Sequence, residues 1–198
     1  MNLANKLTIF RIILVPIMVI IPFLNIEGNI YGIPYTFLLI NLVFIIASIT
    51  DKMDGYIARS RNQITNFGKF ADPLADKILV LSAMLLLVEL GKLPAWIPII
   101  VLAREFIVSG YRLVAVEQGG KVIAASIYGK IKTVTQIIAI IIAFFDINSF
   151  GACFTGHLTG FALILNSAQT LMMLVCVIAT ILSGIDYLKD GKQILKMK

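Results

Sequence analysis

The sequence predicts an all-α integral membrane protein of six transmembrane helices, with a short amino-terminal interfacial helix and a polar cavity on the cytoplasmic side. Three observations carry this. Hydrophobic residues make up 59% of the 198 and charged residues 14%, against roughly 25% charged in soluble domains. A soluble domain of this size could not hide so much apolar surface. Six apolar stretches come close to the ~20 residues that cross a hydrocarbon core. All but one of the 17 Lys and Arg fall in alternate connections, the pattern of a chain with both ends on one side.

The spans are expected at about 9–25, 34–57, 73–90, 94–116, 129–147 and 161–187, all within a single domain covering 1–198. Residues 2–8 set Asn2, Asn5 and Lys6 between Leu3 and Leu7 and read as the interfacial lead-in. The basic-then-apolar start has no small-x-small cleavage site after it and is read as retained. Pro16 and Pro22 predict a kink or an early finish in the first span. Connections near 26–33, 90–94 and 146–160 hold one basic residue, Lys92; the other sixteen lie at the termini, around 52–77 and around 104–132. The positive-inside rule therefore puts both termini in the cytoplasm of a multi-pass cell-membrane protein. The net charge of +6 suits contact with anionic membrane lipids, and no nucleic-acid partner is expected. Trp96, Tyr31 and Tyr35 fall at outer boundaries as interface anchors. Cys153 and Cys176 make no paired spacing, and His157 reads as a loop residue.

Chemistry concentrates between Asp51 and Asp76. Four of the chain's eleven acidic residues, Asp51, Asp54, Asp72 and Asp76, fall in this 26-residue window, each pair against an apolar run. Ionised carboxylates at a bilayer edge cost about 2.5–3.5 kcal/mol each even on the lenient insertion scale, so bound cations are expected. Spacings of three and four put each pair on one helix face, and antiparallel packing of the second and third spans would bring the faces together. Oxygen donors without His or Cys suit Mg²⁺, Mn²⁺ or Ca²⁺ rather than zinc. Gly55 and Ala58 leave one face nearly bare for close approach, and Arg59 can answer a phosphate or an acid. In the fourth span Arg104, Glu105, Ser109 and Arg112 run inward from the same end, which calls for a water-accessible cavity.

The run Asp51-x2-Asp54-Gly55-x2-Ala58-Arg59-x8-Gly68-x3-Asp72-x3-Asp76 resembles the signature of the CDP-alcohol phosphatidyltransferases at every specified position. Asn5-Lys-Leu7-Thr8-Ile-Phe-Arg11 is similar to the family's amino-terminal element. Arg104-Glu105, Arg112 and Gly129-Lys130-Ile-Lys132-Thr133-x2-Gln136 look like the branch that makes phosphatidylglycerol phosphate. The carboxyl-terminal span carries no recognised motif.

The resemblance implies an enzyme that joins CDP-diacylglycerol to an alcohol and releases CMP, built as six membrane helices around a cytoplasmic-side cavity, usually a homodimer. It implies that Asp51, Asp54, Asp72 and Asp76 hold Mg²⁺ or Mn²⁺, that Thr8, Asp51, Gly55, Ala58 and Arg59 border the CMP moiety, and that Asp76 is also the general base. A carboxylate wholly committed to metal is a poor base, so Asp76 carries two competing duties. With glycerol 3-phosphate as acceptor, Lys77, Arg104, Arg112, Lys130 and Lys132 are placed to gather its phosphate. Lys130 and Lys132 also fit an ordinary positive-inside flank, and Arg104–Glu105 a packing ion pair. The alternative acceptors are serine, inositol phosphate or phosphatidylglycerol. A divalent-cation transporter is the alternative from another class, disfavoured because the acids sit at one edge and no repeat is present.

Overall fold

The computed structural model describes residues 3–60, 66–117 and 127–195, with side-chain surroundings for 5–51, 68, 71–111 and 127–189. Where the sequence predicts spans, the described residues form six α-helices: α1 (Leu3–Ile20), α2 (Tyr35–Ser60), α3 (Asn66–Glu89), α4 (Trp96–Glu117), α5 (Ile127–Phe145) and α6 (Gly160–Leu195). Three segments, Asn5–Leu24, Ile127–Phe145 and Gly160–Lys189, are long and apolar enough to cross a membrane, and Tyr35–Asp51 is a shorter apolar stretch. An all-α membrane protein is the architecture these helices support. The remaining helices are diluted by the acids and bases singled out above, since α3 carries Asp72, Asp76 and Lys77, and α4 carries Arg104 and Glu105.

One expectation needs correcting. The interfacial lead-in at residues 2–8 is not a separate element, because α1 runs unbroken from Leu3 to Ile20. Nothing between Leu3 and Val15 breaks a helix, so the polar turn simply continues into the apolar one. Pro16 is tolerated inside α1, and the early finish does occur: a 3-10 turn over Ile21–Leu24 takes in Pro22.

α1 packs against α2 and α3, α2 also against α5, and α6 against both α5 and α4. The shared core joins Met18 of α1, Ile40 and Phe44 of α2, Leu79 and Met84 of α3, Ile140 and Phe144 of α5 and Met173 of α6, with Ala47, Ala83, Ala139 and Ala143 between them. Small residues at such crossings let helix backbones approach closely. Outward faces stay apolar, with Ile13, Leu85, Ile99, Leu171 and Ile178 exposed, as lipid contact requires.

The end of the bundle opposite the acidic motif is closed by a polar cap. Asp146, 1% exposed, accepts hydrogen bonds from Asn166 Nδ2 at 2.6 Å and from Asn148 N and Nδ2 at 2.9 Å. Asn166 Oδ1 accepts from Cys153 N at 2.7 Å, and Thr170 Oγ1 from Gly151 N at 3.1 Å. Lys92, the lone base of the connections near 26–33, 90–94 and 146–160, is buried here. It donates to Ile147 O and lies 5.1 Å from the centre of the Phe37 ring. Burial pushes the Lys92 ammonium below its ordinary range, and Asp146 opposes the shift. Trp96 meets Phe150 edge-on at 6.3 Å. The α3–α4 turn, the α5–α6 loop and the start of α2 are thereby tied together, which fixes the helices whose far ends carry the charged residues.

Candidate active site

At the charged end, α1 lies between the two acidic helices. Thr8 and Arg11 are three apart and share a face. The buried Thr8 hydroxyl donates to Asp72 Oδ1 on α3 at 2.6 Å, and Arg11, 0% exposed, places Nη1 2.8 Å from Asp51 Oδ1 on α2. One turn of α1 thus engages one acid from each pair. Thr50 turns back on its own helix, bonding Ile46 O at 2.7 Å.

Asp76 faces a different space, a cavity of about 890 Å³ formed by α3, α4, α5 and the end of α6. Its polar wall includes Asp76, Lys77, Arg104, Glu105, Lys130 and Lys132. Exposed apolar residues Leu74, Ile78 and Phe106 form another part of the wall. Asp76 lies within electrostatic reach of Asp51, Lys132, Arg11 and Glu105, so the cavity and the α1-bound acids belong to one electrostatic neighbourhood.

Glu105 organises the basic side chains. Its Oε1 accepts from Lys132 Nζ at 2.7 Å and from Arg104 Nη1 at 2.9 Å, and its Oε2 lies 3.8 Å from Lys77 Nζ. Lys77 also donates to Ser109 Oγ. Three cations around one carboxylate leave an excess of two positive charges, enough to balance a phosphomonoester dianion. Water exclusion strengthens that attraction, since Lys132 is 8% exposed and Arg104 12%.

Of the residues singled out from sequence, Asp76, Lys77, Arg104, Lys130 and Lys132 line this same cavity, while Asp51 and Asp72 are engaged by α1. Asp54, Gly55, Ala58 and Arg59 lie on α2 and Arg112 on α4, but their side chains fall outside the described residues. Among the described residues no group of three acids, histidines or cysteines stands close enough to hold a metal ion. The donor chemistry nonetheless fits a hard divalent cation, because Asp51, Asp72 and Asp76 offer only carboxylate oxygens at one end of the bundle. Sequence reasoning gave Glu105 too small a part and missed α6, which brings Ser183 and Tyr187 to Arg104. A signal was present. Asn166, Thr170, Thr180, Ser183 and Tyr187 recur on one side of a largely apolar helix, and all are buried.

A family model described as CDP-alcohol phosphatidyltransferase matches residues 1–182. The chain is 42% identical over 200 residues to the CDP-diacylglycerol–glycerol-3-phosphate 3-phosphatidyltransferase of Bacillus subtilis, covering 98% of this chain and 97% of that one. It is 37% identical over 195 residues to the like-named protein of Haemophilus influenzae, covering 96% and 94%. It is also 37% identical over 143 residues to that of Escherichia coli K12, covering 70% and 74%.

Proposed function

The chain belongs to the CDP-alcohol phosphatidyltransferase family, and from that premise we infer that it transfers the phosphatidyl group of CDP-diacylglycerol to glycerol 3-phosphate, giving phosphatidylglycerol phosphate and CMP. The names of its relatives support the acceptor. The observation that carries it to this chain is the cavity beside Asp76, where Lys77, Arg104 and Lys132 surround the single carboxylate of Glu105. Serine has no phosphate to use that excess charge.

Asp51, Asp54, Asp72 and Asp76 would hold Mg²⁺ or Mn²⁺, which when bound supplies charge neutralisation on the pyrophosphate. The protein's own groups do the rest. Lys77, Arg104, Lys130 and Lys132, with Arg112, grip the acceptor's phosphate and aim the terminal one of its two free hydroxyls at the phosphorus nearest the diacylglycerol. Asp76 takes the hydroxyl proton as the new P–O bond forms and the P–O bond to CMP breaks. Thr8, Asp51, Gly55, Ala58 and Arg59 border the CMP. Leu74, Ile78 and Phe106 offer the acyl chains an apolar approach from the membrane.

In this reading the six helices all cross the cell membrane as one domain, with the active site on the cytoplasmic side and two copies forming a homodimer. The one-sided distribution of Lys and Arg supports that orientation. The test is CMP release by purified protein against a panel of acceptors: glycerol 3-phosphate, serine, inositol phosphate and phosphatidylglycerol. Release with glycerol 3-phosphate alone is expected. Release with serine and not with glycerol 3-phosphate would overturn the acceptor.

A further inference from the structure

Arg104 is held along its length by a single turn of α6. Its Cγ lies 3.6 Å from the place a Cβ on Gly184 would take, an ordinary contact distance, so the stem packs along this turn. Its guanidinium carbon sits 5.7 Å from the centre of the Tyr187 ring, and its Nη2 donates to Ser183 Oγ at 2.5 Å. Ser183 and Tyr187 are one turn apart and share a face, and they are 0% and 2% exposed. The Ser183 hydroxyl accepts from a guanidinium that is largely out of water, which an apolar side chain of the same size could not do.

Glu105 pulls on the other arm of the same guanidinium, at Nη1. Held by Glu105 alone, the fork could swing onto that carboxylate and turn away from an incoming anion. The Ser183 bond and the Tyr187 ring oppose that swing, and they hold Arg104 at the cavity wall while its buried Nε has no hydrogen-bond partner among the described residues. A planar guanidinium reads phosphate by geometry as well as charge, so fixing its plane before binding lowers the cost of binding.

We propose that Ser183 and Tyr187 of α6 are positioning residues for Arg104, and that through it they set the enzyme's affinity for the phosphate of its acceptor. The proposal rests on glycerol 3-phosphate being that acceptor. In steady-state assays of the purified full chain, Ser183→Ala and Tyr187→Leu should each raise KM for glycerol 3-phosphate about ten-fold, or ~1.4 kcal/mol. KM for CDP-diacylglycerol should stay as in wild type, and kcat should fall less than KM rises. Ser183→Thr, which keeps the hydroxyl, should recover most of the lost affinity. In an Arg104→Ala background, Ser183→Ala should add nothing, because the residue acts through the arginine.

An unchanged KM for glycerol 3-phosphate in Ser183→Ala, or a further ten-fold rise in the Arg104→Ala background, overturns the proposal while leaving the acceptor assignment intact. Wild-type enzyme that uses only a phosphate-free acceptor overturns both. If Tyr187→Leu does not fold, Ser183→Ala, which removes a single oxygen, decides alone.

Discussion

The Thr8 hydroxyl donates to Asp72 at 2.6 Å across 64 residues of sequence, so a helix before the acidic motif sets the orientation of one of its carboxylates. Such bonds decide which oxygen a carboxylate presents, and groups that orient metal ligands commonly change metal affinity by 10–100-fold when removed. Thr8→Val keeps the shape and deletes the donor. The apparent affinity for Mg²⁺ or Mn²⁺, read from CMP release against ion concentration, should weaken about ten-fold, with the melting temperature little changed. An unaltered ion dependence would confine Thr8 to packing or to the CMP border.

Removing the ion should stop the reaction. EDTA should abolish CMP release, and excess Mg²⁺ or Mn²⁺ should restore it, because oxygen-only donors favour hard cations. Activity that survives EDTA would remove the metal role from Asp51, Asp54, Asp72 and Asp76 together.

Asp76 lines the cavity beside the basic cluster, whereas Asp51 and Asp72 are engaged by α1. Asp76→Asn preserves size and loses the proton acceptor, so kcat should fall by about 10²–10⁴-fold. Binding of CDP-diacylglycerol, followed by thermal shift, should persist if the base role outweighs the metal role. Loss of both together would make Asp76 chiefly a metal holder. Turnover near that of wild type would exclude it as the base.

Much of this was legible in the chain because hydropathy and charge act locally. Helix ends at Phe145 and Gly160 lie within two residues of the span limits expected from the turn-rich stretch 146–160, and the three- and four-residue spacings of the acids predict a shared face for each pair without tertiary knowledge. What was not legible depends on contacts between distant residues. No local pattern says that Arg11 meets Asp51 while Thr8 meets Asp72, or that Glu105 gathers cations from three helices. The polar residues of α6 mark a face of that helix, but nothing local says that Ser183 and Tyr187 meet Arg104.

Arg11→Met separates the stability of the acidic end from its chemistry. Arg11 is wholly buried and Asp51 is 36% exposed, so the variant leaves a half-buried carboxylate without its cation. Breaking a buried pair costs about 3–5 kcal/mol, and the exposure of Asp51 puts this case toward the lower end. The melting temperature should fall clearly. Adding Asp51→Asn should recover part of it, because the uncompensated charge is then gone, while activity should not return. A double variant no more stable than Arg11→Met would mean that Arg11 supports the fold through contacts other than Asp51.

The polar cap offers the converse case, a large stability effect with little change in the chemistry of each turnover. Asn166 donates to Asp146 Oδ2 and Ser149 O and accepts from Cys153 N, all at the end of the bundle opposite the acidic motif. Asn166→Ala leaves Asp146 short of a donor in a site that is 1% exposed. An unsatisfied buried group costs about 1–3 kcal/mol, more when it is charged, and for a chain of this size each kcal/mol corresponds to roughly 2–4 °C. A drop of about 5–10 °C is therefore expected, with both KM values held at temperatures where the variant remains folded. A change in the KM for glycerol 3-phosphate at full folding would show instead that the cap controls the spacing of α4, α5 and α6 around the cavity.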